Sequence, residues 1–444
     1  MKSELIKSQI KRIRSLYKFI IDNKILYDIE VIFLMLLPIL ITLDKYIGIA
    51  GTILTGIPFI IGILSVLLYQ KKSYVKYLII FVLLFINAFI PKKYSNQFEF
   101  VKPLLIFFTT LDMVRDEDFL YKIKMYLKKY SKFITISIII VIIANFLSIF
   151  FSNENYSKAW KMDAFEGLYQ SPHQAAYRIC ALIIYIMFLI KFKINNKILN
   201  LGMFIISEVL LLKTGARTPT LLGAMLGIIT LYFMKDELIA LIKKNKKMSC
   251  IIGVLVIIVL AIYLPNTAFM QKMIVSSKGT FDNGRNLLNT TDWNYFLRCN
   301  LFNKLFGNDI DNIRQINKQV IYAPIWCHND IMQVLLQFGI FMLAIYLITI
   351  IKAMILHLKD ENKFSKIIII LLNLVYIFVA FYNGLFFFPR FIVAIPIIFT
   401  IYKIKDKEES EEAKYESVEL ISSWKNWWNR SAVKRFRERR ANRQ

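Results

Sequence analysis

The residues best suited to chemistry gather at the end of one polar stretch. Trp326-Cys327-His328-Asn329-Asp330 closes residues 265–327, a mostly polar loop between an apolar run ending at Leu264-Pro265 and another starting at Ile331. His328 is one of only three histidines, and histidine is the side chain most readily used as a base near neutral pH. Asp330 shares its helical turn, and Gly284-Arg285 stands near the start of the same loop. A second basic position lies in Lys213-Thr214-Gly215-Ala216-Arg217-Thr218-Pro219-Thr220. There glycine permits a tight turn and Pro219 suits a first helical turn, which leaves Arg217 at the positive end of a helix. A guanidinium in that place makes an anion seat, because its rigid fork of donors matches phosphate oxygens. The plainer alternative is an interfacial topology anchor.

Other polar segments carry weaker signals. Gly167 and Pro172 bracket a turn in Phe165-Glu166-Gly167-Leu168-Tyr169-Gln170-Ser171-Pro172-His173, and an apolar run begins near His173. Arg178 sits inside that run, where a charge either faces a watered, protein-lined cavity or snorkels to the interface. In the long loop, Asp292-Trp293-Asn294-Tyr295-Phe296 reads as a short amphipathic helix continuing to Leu301, and Leu305-Phe306-Gly307 as a turn. Asp309 and Asp311 lack the further carboxylates of a calcium loop, so a metal is rejected. The loop's aromatic side chains either stack on sugar rings or form its own core. Pro389-Arg390 marks one more turn.

Positioning these groups falls to a membrane bundle. The chain has 444 residues, 57% of them hydrophobic, with a mean hydropathy of +0.51. A soluble domain of that length cannot hide so much apolar surface. Crossing the hydrocarbon takes about 20 apolar residues as a helix, since lipid offers the backbone no hydrogen-bond partner. The expected fold is therefore an all-α polytopic membrane protein with about twelve transmembrane helices, at 28–43, 46–69, 76–91, 99–114, 132–151, 172–192, 196–212, 216–234, 248–264, 328–351, 366–383 and 386–402. The net charge of +26 suggests nucleic acid at first sight. Its distribution excludes that partner, because most lysines and arginines fall in segments that an inside N-terminus places inside. Both termini are then cytoplasmic, and the loops at 152–171, 213–217, 265–327 and 384–390 face outward.

The organisation expected is a basic segment 1–27, a membrane domain 28–403 including the loop 265–327, and a tail 404–444. The first segment is either an amphipathic helix on the inner leaflet or a topology signal alone. It precedes the first apolar run without a small-residue cleavage site, which argues against a signal peptide. The mixed-charge stretch 115–132 reads as a solvated connecting helix. The tail, with Trp424, Trp427, Trp428 and Phe436 at helical spacing, reads as an interfacial helix or a partner-docking segment. Cys180 and Cys250 are small hydrophobes within spans, while Cys299 and Cys327 share the outer loop, where an oxidising compartment permits pairing without requiring it.

These pieces, in this order and on one membrane side, resemble the O-antigen ligase/polymerase family of bacterial envelope proteins over roughly residues 160–345. The carriers are Gly167-Leu-Tyr-Gln-Ser-Pro172-His173 (the family usually has asparagine where His173 stands), Gly215-Ala-Arg217-Thr, Gly284-Arg285 followed by Trp293, Leu305-Phe-Gly307, and His328-Asn329 followed by Gln333 and Gly339. The resemblance implies a GT-C-like integral membrane glycosyltransferase of the bacterial cytoplasmic membrane. It would use polyisoprenyl-diphosphate-linked oligosaccharide as donor and acceptor at the outer face, inverting the anomeric carbon without metal or other cofactor. By that likeness Arg217 and Arg285 hold the diphosphate and His328 deprotonates the acceptor hydroxyl. His173, Arg178, Asn329, Asp330, Trp293 and Arg390 form the expected substrate-binding set, and a chain-length regulator protein is an optional partner. Two other function classes stay open: a ligase moving finished glycan to lipid A core or protein, and a lipid-linked oligosaccharide flippase. The second predicts charges deep in several spans and broken helices in paired halves.

Overall fold

A computed structural model describes residues 14–43, 46, 48–89, 98–151, 156–157, 162–169, 171–244, 246–247, 258, 261–277, 284–322, 324–358, 366, 370, 380 and 389–403. The spans expected at 248–264 and 366–383 lie almost wholly outside these residues, and the tail 404–444 entirely so. The described part is mostly helical. After a helical stretch at 14–22 come α1 (Ile25–Leu43), α2 (Gly48–Tyr69), α3 (Tyr74–Ala88), α4 (Phe98–Met113), α5 (Glu117–Lys129) and α6 (Ser131–Phe151). A hairpin of two-residue strands follows, β1 (Tyr156–Ser157) antiparallel to β2 (Met162–Asp163), a small departure from an all-α chain. Then come α7 (Pro172–Lys191), α8 (Lys197–Lys213), α9 (Arg217–Phe233), α10 (Lys235–Lys244), α11 (Ala268–Ser277), α12 (Arg285–Arg298), α13 (Leu301–Phe306), α14 (Ile310–Ile321), α15 (Asp330–Leu358) and α16 (Pro389–Lys403).

Among the described residues, four helices are long and apolar enough to cross a membrane: Ile25–Leu43, Ser131–Phe150, Pro172–Lys191 and Asp330–Leu356. Shorter apolar helices occupy Thr55–Tyr69, Tyr74–Ala88, Arg217–Phe233 and Phe391–Lys403. This is the pattern of a membrane protein, and the burial pattern agrees. On α6, Ile136, Ile140, Ile143, Leu147 and Phe150 recur at helical spacing and are all exposed. A stripe that long on a soluble monomer would be an aggregation site; against lipid tails it costs nothing.

The helix α7 is apolar all round and forms the centre, packed by α1, α8, α9 and α16. Its start is fixed locally: Ser171 Oγ accepts the Gln174 N–H at 3.3 Å, and Pro172 takes the first helical position. The stretch read as a solvated connector is instead docked. In α5, Phe119, Leu120, Ile123 and Leu127 are buried, and Lys122 Nζ reaches the buried Asp28 carboxylate at 2.6 Å. The period-3.6 apolar face outweighed the charges that made the segment look wet.

The helix α15 is broken once. Gly339 has φ 83°, a left-handed shape that glycine adopts without strain. The carbonyls freed by the break find protein donors. Leu336 O accepts the Asn308 N–H at 2.7 Å, and Gln337 O accepts the Asn87 amide at 2.8 Å. Irregular backbone at membrane depth is tolerated on that condition.

Candidate functional site

Four helix starts bring the basic residues together. His173 lies in the first turn of α7, Arg217 opens α9, Arg285 opens α12, and His328 stands two residues before α15. The loops are joined by short contacts. The Phe165 N–H donates to Lys213 O at 3.0 Å, linking the segment before α7 to the turn before α9. In that turn Gly215 has φ 63°, and a Cβ on it would stand 3.0 Å from Ala268 Cβ. This close approach seats α11 against the turn, and Lys272, one helical turn past Ala268, is carried to Arg217.

The result is a cationic cluster. The ring of His173 is within electrostatic reach of Lys272, Arg285, His328 and Arg217. Lys272 is pushed down from 10.5 to about 8, by burial first and then by Arg217 and Arg285. His328 is half-buried and pushed down from 6.5 to about 4, by burial and then by Arg285. Like charges gathered in a partly desolvated place raise one another's cost, which an arriving anion removes. Helix N-termini add partial positive charge in the same place. Arginine, lysine and histidine there suit the oxygens of a phosphate or diphosphate.

The stripe Arg285, Asn289, Asp292, Phe296 on α12 explains how Arg285 meets His328. These positions share one helical face. Asn289 Oδ1 accepts from the Asn329 amide at 3.3 Å. The buried Asp292 carboxylate faces the Cys327 thiol and the Asn317 amide, yet neither oxygen completes a hydrogen bond of normal geometry. Burial lifts it from 3.8 to about 6. Asn329 also caps α15, its Oδ1 accepting from Ile331 N at 3.0 Å and Met332 N at 3.2 Å. Cys327 N donates to Gln333 Oε1 at 3.3 Å. Held on both sides, His328 has φ 43°, a left-handed conformation that costs a histidine about 1–2 kcal/mol.

The expected residues therefore divide. His328, Arg285, Arg217 and His173 come together, with Lys272 added. Asn329 and Asp330 flank them; Asp330 is fully buried in the first turn of α15, where a carboxylate is favoured. Arg178 is held within the helix packing. It is buried, donates to Ile41 O at 3.0 Å and Gln174 Oε1 at 3.3 Å, and lies over the Tyr169 ring. Trp293 is 46% exposed on the outer side of α12, stacked on Phe296 with centroids 5.5 Å apart. Arg390 is described as backbone only, in the first turn of α16, and its side chain lies outside the described residues.

Other expectations change too. Cys299 and Cys327 are free. Cys299 Sγ donates to Tyr295 O at 3.3 Å, and Cys327 faces Asp292, so each thiol has its own surroundings. Asp309 and Asp311 serve the loop's architecture: Asp309 caps α14 through the Asp311 N–H, and Asp311 pairs with Arg314 at 3.4 Å. Arg314 in turn lies over Trp326, which packs on Phe100. Part of the aromatic set is thus loop core, while Trp293, Phe302 and Tyr322 remain exposed.

Lys272 escaped sequence reasoning. Its signal was a single lysine inside the largely apolar Ala268-Phe269-Met270-Gln271-Lys272-Met273-Ile274-Val275, in a loop read as mostly polar. No family model matches this chain, and neither a curated protein nor a solved structure matches it.

Proposed function

We propose that this protein is a membrane glycosyltransferase that extends oligosaccharide repeat units carried on polyisoprenyl diphosphate at the outer face of a bacterial cytoplasmic membrane. The observation that carries the reading is the convergence of Arg217, Lys272 and Arg285 on His328 and His173. In the reaction an acceptor hydroxyl oxygen attacks the anomeric carbon as the bond from that carbon to the diphosphate oxygen breaks. The bonding electrons leave with the diphosphate, where Arg217, Lys272 and Arg285 stabilise the growing charge. The hydroxyl proton passes to His328. Free, His328 is neutral at pH 7 and ready to accept a proton. The bound diphosphate offsets the pull of Arg285 and raises the imidazole's basicity while substrate is present. The twelve-span topology with both termini inside, and the GT-C-like fold, belong to this reading.

Two observations favour transport instead: the buried acidic residues Glu30 and Asp112 and the broken α15. Transporters use unwound helix to line a cavity. Here the carbonyls at the break are closed by Asn87 and Asn308, which favours a structural break.

The test is to incubate the purified protein with diphosphate-linked oligosaccharide and follow the glycan. Lengthened lipid-linked product supports polymerisation, and transfer to a different acceptor supports a ligase. Absence of any new glycosidic bond ends the enzymatic reading. His328→Ala and Arg285→Ala are each expected to lower turnover by about 10²–10³ with normal membrane insertion, and full activity in either removes that residue from the mechanism.

A further inference from the structure

A cleft of about 1000 Å³ opens at the other end of α15 from His328, between α3 and the last turns of α15. Its walls combine two chemistries. Val75 and Ile79 on α3 and Ile348 on α15 are apolar and 68%, 46% and 49% exposed. The lining also includes the cationic Lys72, Lys76, Arg115 and Lys352. The carboxylates there are mostly engaged. Asp112 is paired with Lys76 and with Arg115, the latter at 3.2 Å. Asp116 is held by Lys24 at 2.8 Å and by the Tyr27 hydroxyl at 2.9 Å. Among the described lining residues, Glu117 is then the remaining counter-charge to the exposed Lys72 and Lys352, and Lys352 also acts electrostatically on Lys76.

We propose that this cleft seats one anionic phospholipid, its phosphate diester between Lys72 and Lys352 and its acyl chains along the exposed faces of α3 and α15. A free phosphate would use the cations and leave the apolar walls without a role. A zwitterionic lipid would bring its own ammonium toward Lys72 and Lys352. Basic pockets between helices at a membrane surface suit anionic headgroups for these reasons. None of the residues of the cationic cluster takes part, so the assignment stands or falls apart from the glycosyltransferase reading.

The experiment is quantitative lipid retention by the full-length protein purified in mild detergent from vesicles of equal phosphatidylglycerol and phosphatidylethanolamine content. Retention of phosphatidylglycerol in preference to phosphatidylethanolamine is expected. The double variant Lys72→Gln/Lys352→Gln is expected to weaken that preference about tenfold or more, with an unchanged melting temperature because both side chains are exposed. Equal retention of the two lipids by the unaltered protein overturns the proposal whatever the variant does. So does displacement of the lipid by millimolar inorganic phosphate, which would assign the seat to a free anion.

Discussion

The Asn329 amide donates to Asn289 Oδ1 at 3.3 Å, which fastens the helix that begins with Arg285 to the turn that carries His328. One hydrogen bond contributes about 1 kcal/mol to stability, but misplacing a catalytic group by about 1 Å can cost 10²-fold in rate. Asn289→Ala is therefore expected to lower turnover at least tenfold while shifting the melting temperature little. Asn329→Ala, which also removes the α15 cap, should lower both, the cap alone being worth about 1 kcal/mol. Parallel rate and melting measurements on the two variants separate alignment from folding.

Lys272 is expected to make anion binding depend on pH. With its pKa at about 8 in the free protein, it is mostly charged at pH 7 and mostly neutral at pH 9. A bound diphosphate stabilises the charged form, so affinity should fall as pH rises above 8. The sign for stability is opposite. The unfolded lysine, near 10.5, binds more protons than the folded one between pH 8 and 10.5, so stability without ligand rises through that window. Titrating pyrophosphate at pH 7 and pH 9 checks the first claim. Lys272→Met should bind about tenfold more weakly at pH 7 and show no fall between the two.

Asp292 carries the reverse linkage. Its folded pKa of about 6 lies above the ordinary 3.8, so the folded state binds more protons between those values. Stability is then lost as pH rises from about 4 to 6, and the ionised group remains a cost at neutral pH. Asp292→Asn should melt higher than the parent at pH 7, by the equivalent of about 1–3 kcal/mol, and level with it near pH 4. Equal melting at both pH values would show that the carboxylate is better solvated than its burial implies.

Gly307 and Gly339 cross with no room for a side chain. A Cβ on Gly307 would overlap the Gln337 carbonyl, one on Gly339 would overlap the Leu305 carbonyl, and both residues have positive φ. Alanine at either is expected to destabilise by about 3 kcal/mol, combining backbone strain with overpacking. Gly202→Ala, which meets nothing within 4 Å inside α8, is the control and should be neutral or stabilising. Melting temperatures in one detergent decide.

The sequence made the bundle legible because apolar runs announce helices wherever lipid or protein covers them. Several described helices begin and end within a few residues of the runs that foretold them, as at Pro172–Lys191 and Arg217–Phe233, while Asp330–Leu358 outruns its expected end at 351. The basic members of the site were legible because each stands at a visible break between polar and apolar chain. Lys272 was not, since nothing local says that Gly215 will abut Ala268. The partners of Arg178 were hidden for a related reason: the Ile41 carbonyl is remote in sequence and the Tyr169 ring looks unremarkable there. Gly307 and Gly339 were visible as members of a pattern, but their meaning as one crossing point is a property of packing alone.

The left-handed backbone at His328 has a consequence for anyone redesigning this protein. Glycine or asparagine would sit in that conformation with less strain. A search that rewards thermal stability alone would therefore favour replacing residue 328 and discard the imidazole with the torsion. Hardened variants selected without an activity screen should be sequenced first at this codon.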